Sequence, residues 1–449
     1  MKIILLSGGS GKRLWPLSNN TRSKQFLKML QSAEGVRQSM VQRVWAQLEI
    51  VGLSESTVIA TSKTQAEMIY TQLGLDVPLI VEPERRDTFP AIAIASSFLF
   101  SKQGVNLDET VIVLPVDSYV QDDFFERVKI LDQIIQSTEV DLALIGVKPT
   151  YPASKYGYIV ATTEESHDDY FNVKKFAEKP TEAQARVLIE QNALWNCGIF
   201  AFKLHYLMDI IASKGLSPKY DHLVSEYHRL PKISFDYEVV ERADKVGVVP
   251  YEGQWRDLGT WSTLTEEMVT KQIGKGVISD DSKNTHLVNE LEIPVTIVGL
   301  SNVIVAASPD GILVADKASS PQVKDLIDEF NQQPMYEERL WGWSKVLDYA
   351  KYPDEEMITK RICIHAGKNS TYHYHKFRSE VWTIVCGNGE IVLDGAVKRI
   401  KAGDTIHLPV GCKHAIRAIS QLEFVEVQIG KEIMKTDFVR LHKHWITCI

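Results

Sequence analysis

The sequence predicts an α/β fold built on a mostly parallel sheet, joined through a short β-rich stretch to an all-β barrel. Two observations carry this. Residues 1 to about 270 alternate short, fully apolar runs with amphipathic stretches, and from about residue 336 the pattern is almost all β, with glycines at 387, 389, 395, 403, 411 and 430. Apolar strands between helices indicate a sheet covered on both faces. Short strands punctuated by glycine indicate an antiparallel barrel or sandwich.

In the first part the strands are expected at Lys2–Leu6, Thr57–Thr61, Leu79–Glu82, Val111–Val116 and Leu142–Val147. Helices are expected over Gln38–Leu48, Thr64–Leu73, Ala91–Lys102 and Phe124–Ser137. Near residue 272 the texture changes to brief β runs, Thr296–Val298 and Val303–Ala306, then a short helix Gln322–Phe330 and a linker-like Asn331-Gln332-Gln333-Pro334. The chain is therefore divided into 1–272, 273–335 and 336–449, with the last part's strands at Met357–Ile364, Val381–Val385, Glu390–Leu393, Thr405–Leu408 and Leu422–Gln428.

Composition narrows the function classes. The chain has 449 residues, 44% hydrophobic and 24% charged, with net charge −8. That is the make-up of a globular protein, and it lacks the basic face that nucleic-acid binding needs. No segment approaches the roughly 20 apolar residues of a membrane span. The opening run Ile3-Ile4-Leu5-Leu6 stops at Ser7-Gly8-Gly9, too short for a signal peptide and suited to a buried first strand. Five cysteines without a C-x-x-C pair suit reduced thiols in the cytoplasm.

Three glycines, Gly8, Gly9 and Gly11, follow the first strand, with Lys12, Arg13 and Lys24 beyond them. Such a loop can bring backbone N–H groups against phosphate oxygens. It is neither a Walker A loop nor G-x-G-x-x-G. Further on, Leu114-Pro115-Val116-Asp117 ends an apolar strand in a carboxylate, and Trp255-Arg256-Asp257-Leu258-Gly259 sets a second in a turn. Two carboxylates plus substrate phosphates are a usual magnesium ligand set. By residue type alone each aspartate is more often a turn or cap residue, and Asp87 or Thr88 is better read as a helix cap.

The string Gly8-Gly9-Ser10-Gly11-Lys12-Arg13-Leu14-Trp15-Pro16-Leu17-Ser18, with Lys24-Gln25-Phe26-Leu27, resembles the signature of sugar-nucleotide pyrophosphorylases, in particular mannose-1-phosphate guanylyltransferases. The resemblance runs on through Glu82–Ile92, Tyr156–Ile159, Phe176–Pro180, Leu194–Phe200 and Ser234–Glu238. It implies a Rossmann-like nucleotidyltransferase fold. GMP would pass from GTP to mannose 1-phosphate, giving GDP-mannose and pyrophosphate. It implies phosphate contacts from Arg13 and Lys24, Mg²⁺ on Asp117 and Asp257, and nucleotide contacts from Gly8, Gly9, Gly11, Glu82, Arg86 and Asp87. Gly157, Glu178, Lys179, Asn196 and Asp236 would meet the sugar phosphate. A different sugar phosphate, such as a heptose phosphate, and a non-catalytic sugar-nucleotide sensor are the alternatives; a homodimer is expected on base rates.

In the last part, Gly367, His373, His375, Glu380 and Gly387 read G-x5-H-x-H-x4-E-x6-G, and Gly403, Pro409, Gly411 and His414 read G-x5-P-x-G-x2-H. Two histidines two apart on one strand share a face. The ordered set resembles the cupin signature, and its flanks resemble the type II phosphomannose isomerase domain. The resemblance implies a divalent transition metal (zinc, iron, manganese or nickel) on His373, His375, Glu380 and His414, and a second, isomerase activity. His373 and Val381 depart from that family's pattern.

Overall fold

The computed structural model describes residues 1–9, 12–166, 169–327, 333–433, 435–442 and 445. Two compact units are present. The first comprises Met1–Leu14, Ser23–Lys271 and Lys317–Val323; the second comprises Trp15–Arg22, Gln272–Asp316 and Lys324–Ile449.

The first unit is a nine-stranded sheet between helices. From one edge its strands are Leu79–Glu82, Thr57–Ser62, Lys2–Ser7, Thr110–Pro115, Leu194–Lys203, Leu142–Val147, Val246–Tyr251, Phe171–Ala177 and Tyr158–Ser166. The first four pair in parallel. Leu194–Lys203 then enters antiparallel to both neighbours, so the sheet is mixed rather than mostly parallel. A strand's apolar run shows that it is buried on both faces, but not its direction. Here Leu194–Lys203 follows the helix Glu182–Glu190 after a tight turn and runs back between Thr110–Pro115 and Leu142–Val147.

Burial on both faces explains the apolar runs. Ile3 and Leu5 face one core with Ile112, Leu131 and Ile145; Ile4 faces the other with Ile92, Val113, Leu144 and Phe202. The helix Phe124–Ser137 puts Val128, Leu131 and Ile135 on its buried stripe, at helical spacing. The helix expected over Ala91–Lys102 spans Thr88–Ser101 instead. Its N-cap is Asp87, whose Oδ1 accepts from the Thr88 N–H at 2.8 Å, so it starts before Pro90 and not after it.

In the second unit, residues 272–316 form short parallel pairings among Gln272–Ile273, His286–Asn289 and Val303–Ser308, closed by the antiparallel strand Gly311–Asp316. Leu287, Ile297 and Val305 fill this segment. It also grips Trp15–Arg22: Asn19 Nδ2 donates to Asp310 at 2.8 Å, and Arg22 makes a two-pronged pair with Glu290 at 2.8 and 2.9 Å. Beyond it, antiparallel sheets of six and five strands enclose Ile364, Trp382, Ile384, Ile391, Ile416 and Phe424. This is the all-β architecture expected of a cupin. The expected helix Gln322–Phe330 is observed as Val323–Ile327, and residues 328–332 lie outside those described.

Packing at the sheet centre allows no added volume. A Cβ on buried Gly146 would lie 2.8 Å from Leu194 and 2.9 Å from Val248. Gly146→Ala is therefore expected to destabilise the first unit by about 1–3 kcal/mol. A chemical-denaturation midpoint equal to wild type would contradict this packing.

Candidate active site and metal centre

Sheet register brings the two aspartates together. Asp117 directly precedes the strand Ser118–Val120, which pairs antiparallel with Trp255–Asp257 so that Ser118 faces Asp257. Lys24, at the start of a short 3₁₀ turn, reaches both carboxylates: its Nζ lies 2.6 Å from Asp117 Oδ2 and 3.2 Å from Asp257 Oδ1. Burial opposes charge on Lys24 and on Asp257, but their attraction outweighs it. The lysine pKa is raised and that of Asp257 lowered, with Lys155 and Arg13 adding to the second shift. Lys24 and Asp257 each hold the other's charged form. Two carboxylate oxygens converging on one cationic point are a donor arrangement that magnesium fits.

The glycine-rich turn is held by buried amides. Gln65 Nε2 donates to the Gly9 carbonyl at 2.9 Å, and Gln25 Nε2 lies 3.4 Å from the Gly8 carbonyl. Gly9 has φ of 125°, which favours glycine. Gly11 lies outside the described residues, and Arg13 is exposed beside the turn. Gly8, Gly9, Glu82, Arg86, Asp87 and Asp117 share one cleft of about 360 Å³. Within it, burial raises the pKa of Glu82, and the Tyr227 hydroxyl donates to its Oε2 at 2.9 Å. Arg86 is already engaged: its Nε donates to the Leu230 carbonyl at 2.9 Å, and it pairs with Glu84.

A second polar cluster gathers Gly157, Glu178, Lys179, Asn196 and Asp236. Asn196 Nδ2 donates to Asp236 Oδ1 at 2.6 Å, and Glu178 pairs with half-exposed Lys179. A Cβ on Gly157 would meet Glu178 Oε2 at 2.5 Å, so only glycine leaves that carboxylate its place. Burial, then the neighbouring Glu178 charge, push the Asp236 pKa up to about 7. Aromatic rings join this cluster to the acidic pair. Tyr156 packs edge-on against Trp195, next to Asn196, and against Trp255, two residues before Asp257.

In the second unit, the strand Tyr372–His375 carries His373 and His375, and His373 pairs across to His414. One ring nitrogen from each lies within 4.8 Å of the others. The Thr371 carbonyl at 2.7 Å takes His373 Nδ1 and the Cys412 carbonyl at 3.0 Å takes His414 Nδ1, which leaves both Nε2 atoms for a ligand. Buried His414 Nε2 has no hydrogen-bond partner. Burial lowers the pKa of His373 to about 3 and lowers that of His414, keeping both neutral as ligation requires. Glu380 joins them: its Oε1 lies 3.1 Å from His375 Nε2 and its Oε2 3.7 Å from His414 Nε2. Three imidazoles and a carboxylate fit a divalent transition metal.

Residues 2–272 match the nucleotidyl transferase family, and residues 328–443 match the mannose-6-phosphate isomerase C-terminal family. The chain belongs to the nucleotidyl transferase family. The xanthan biosynthesis protein XanB of Xanthomonas campestris is 30% identical, with 97% of each chain covered. The mannose-1-phosphate guanylyltransferase of Escherichia coli is 27% identical, again over 97% of each. A crystal structure from Thermus thermophilus, named a mannose-1-phosphate geranyltransferase, is similar at a TM-score of 0.60 and 26% identity, covering 74% of this chain and 99% of that one. No helix among the described residues of this nucleotidyl transferase is long and apolar enough to cross a membrane.

Three groups at the histidine centre of this nucleotidyl transferase had no role assigned from the sequence. Arg378 Nε donates to Glu380 Oε1 at 2.9 Å, and its Nη2 is 3.2 Å from His375 Nε2. Asp437, fully buried, accepts from the Lys376 and Phe377 N–H groups at 2.7 Å, with Oδ2 3.8 Å from His375 Nδ1. Glu426 shares the Trp382 N–H with Glu380, and burial, then the Glu380 charge, push its pKa up to about 8. These residues lie in segments that resemble the isomerase domain, Arg378–Trp382, Phe424–Gly430 and Asp437–Arg440, and alternation puts Glu380, Trp382, Glu426 and Gln428 on inward faces.

Two outcomes follow from this geometry. Between the ordinary aspartate value and about pH 7, folded Asp236 keeps a proton that the unfolded chain has lost, so its burial penalty is full above pH 7 and fades as pH falls toward 4. Asp236→Asn is accordingly expected to be more stable than wild type at pH 8 by the order of 1–3 kcal/mol, with the gap closing at pH 4–5 in melting scans. A gap independent of pH would exclude the shift. Asp437→Asn keeps both backbone contacts but removes the charge beside His375; transition-metal affinity measured by equilibrium dialysis is expected to fall about 10–100-fold. Equal affinity would show that Asp437 does not orient the ligand.

Proposed function

We propose that the chain transfers GMP from GTP to α-D-mannose 1-phosphate, giving GDP-mannose and pyrophosphate. The observation that carries this reading is the Lys24 ammonium between Asp117 and Asp257, where Asp117 also lines the cleft of Gly8, Gly9 and Glu82. The names and full-length coverage of the guanylyltransferase relatives support the choice of nucleotide and sugar.

In this reading the Gly8 and Gly9 backbone cradles the triphosphate while Arg13 and Lys24 offset its charge. Glu82 and Asp87 receive the base, with Arg86 bracing the wall behind them. Glu178, Asn196 and Asp236 bind sugar hydroxyls, and Lys179 reaches the sugar's phosphate as a point charge. A phosphate oxygen of the sugar attacks the α-phosphorus in line and pyrophosphate departs, so positioning and charge neutralisation suffice and no side chain forms a covalent bond. Asp117 and Asp257 would hold Mg²⁺, which supplies positive charge to the phosphate oxygens.

The second unit is proposed to hold one divalent transition metal on His373, His375, Glu380 and His414, a cation that can polarise a sugar carbonyl. The isomerase-family match favours interconversion of mannose 6-phosphate and fructose 6-phosphate there. Adding either sugar to metal-loaded protein tests it; absence of the other sugar would leave this unit a structural or regulatory role.

Pyrophosphate release is expected with GTP, mannose 1-phosphate and Mg²⁺ together. Asp257→Asn should lower kcat by about 10²-fold or more, with its melting transition retained. Near-normal turnover by that variant would end the metal-ligand assignment, and a better substrate in a panel of nucleotides and sugar phosphates would revise the specificity.

A further inference from the structure

Most cations around the first unit's sites already have carboxylate partners. Lys24 is paired with Asp117 and Asp257, Lys179 with Glu178, and Arg86 with Glu84. Lys155 differs. No ion pair to it is found among the described residues, yet it is partly buried. Its Nζ sits 4.7 Å from the centroid of the Tyr156 ring. That ring is wedged against Trp195 at 4.9 Å and Trp255 at 5.4 Å. Both tryptophans are buried or nearly so, and each belongs to a strand that carries a site residue, Asn196 in one case and Asp257 in the other.

The residue on the other side is equally fixed. The Gly157 carbonyl accepts from the Asn196 N–H at 2.8 Å, and the place of its missing side chain is filled by Glu178 and Phe176. Lys155 is therefore the first residue of a three-residue arm that runs from the polar cluster of Glu178 and Asn196 toward the acidic pair. Its charge acts on Asp257 more than that of Arg13 does. An ammonium held on an aromatic face, with no carboxylate of its own, is free to take an anion from solution.

We propose that Lys155 binds the phosphate monoester of the acceptor sugar phosphate and sets its attacking oxygen against the α-phosphorus of the nucleotide. This rests on the nucleotidyl-transfer reading, and it adds to that reading a group with no role in it. The neighbours of Lys155 point to the ligand class. Its Tyr156 support touches Trp195, beside Asn196, and Trp255, two residues before Asp257, so a sugar bound at Glu178 and Asn196 would carry its anomeric phosphate toward the acidic pair past this ammonium. One monoester oxygen forms a bond to the α-phosphorus, the bond from that phosphorus to the bridging oxygen breaks, and pyrophosphate leaves with the electron pair. Lys155 donates hydrogen bonds throughout and transfers no proton.

The test uses the full chain with two substitutions. Lys155→Met keeps the stem and its contact with Tyr156 but removes the charge; Lys155→Arg restores a charge. For Lys155→Met the KM for mannose 1-phosphate is expected to rise about ten- to hundredfold, the KM for GTP to stay within about twofold, and Lys155→Arg to recover part of the loss. Calorimetry with mannose 1-phosphate and with mannose, in the absence of nucleotide, should show weakened binding of the first alone. An unchanged KM for the sugar phosphate, or a rise confined to the KM for GTP, overturns the proposal. Wild-type protein that binds mannose 1-phosphate but does not turn over GTP would defeat the nucleotidyl-transfer reading while the binding comparison still decides the role of Lys155. Equal affinity of wild type and Lys155→Met for mannose 1-phosphate sinks that role by itself.

Discussion

The first unit depends on one electrostatic arrangement: the Lys24 ammonium between the carboxylates of Asp117 and Asp257. Two partly buried carboxylates at close quarters repel each other, and each loses hydration on folding. Without a cation between them, one would take up a proton. Lys24 offsets that repulsion and holds the Asp257 pKa down, and the arrangement ties together residues from the start, middle and end of the unit. The antiparallel pairing of Ser118–Val120 with Trp255–Asp257 supplies the backbone register, and the buried amides Gln25 and Gln65 anchor the glycine turn beside it. A magnesium–triphosphate would meet the same carboxylates in a field already shaped for positive charge.

The second unit solves a similar problem with different chemistry. Glu380 is almost fully buried, a costly place for a charge. Burial favours its neutral form, yet hydrogen bonding to His375 and the nearby positive charge of Arg378 hold its pKa well below the usual carboxylate range. Glu426, on the neighbouring strand, shares the Trp382 and Gln428 donors, but burial and the Glu380 charge outweigh the pull of Lys360 and Arg378 and push it the other way. One carboxylate is therefore kept charged and the other neutral by their separate environments. That division allows two acidic groups to share an interior that could not hold two negative charges.

How much of this was legible in the sequence follows from which forces are local. The strands Leu79–Glu82, Leu142–Val147 and Thr405–Leu408 and the helix Phe124–Ser137 have the ends that their apolar patterns indicate, because burial and period are written in consecutive residues. The direction of Leu194–Lys203 was not legible, since pairing between strands distant in sequence sets it. The same holds at the sites. Asp117 and Asp257 could be picked out by family resemblance, and the structure brings them to one cation. Asp437 and Arg378 gain meaning only through cross-strand neighbours, and Lys155 only through the aromatic stack under it. Single residue types carry no such signal, because a lysine before a tyrosine is usually a solvated side chain.

The two donor sets also differ in hardness, which would let one chain hold two different metals. The first site offers carboxylate oxygens, with substrate phosphates as the remaining ligands, a set suited to a hard ion that keeps part of its water shell. The second offers three imidazoles and a single carboxylate, a set that favours first-row transition ions. Magnesium has little affinity for imidazole nitrogen, so it would not displace a transition ion from the histidines. Ligand type, more than separation along the chain, keeps the two centres chemically distinct, and it requires His373 and His414 to stay neutral, as their burial ensures.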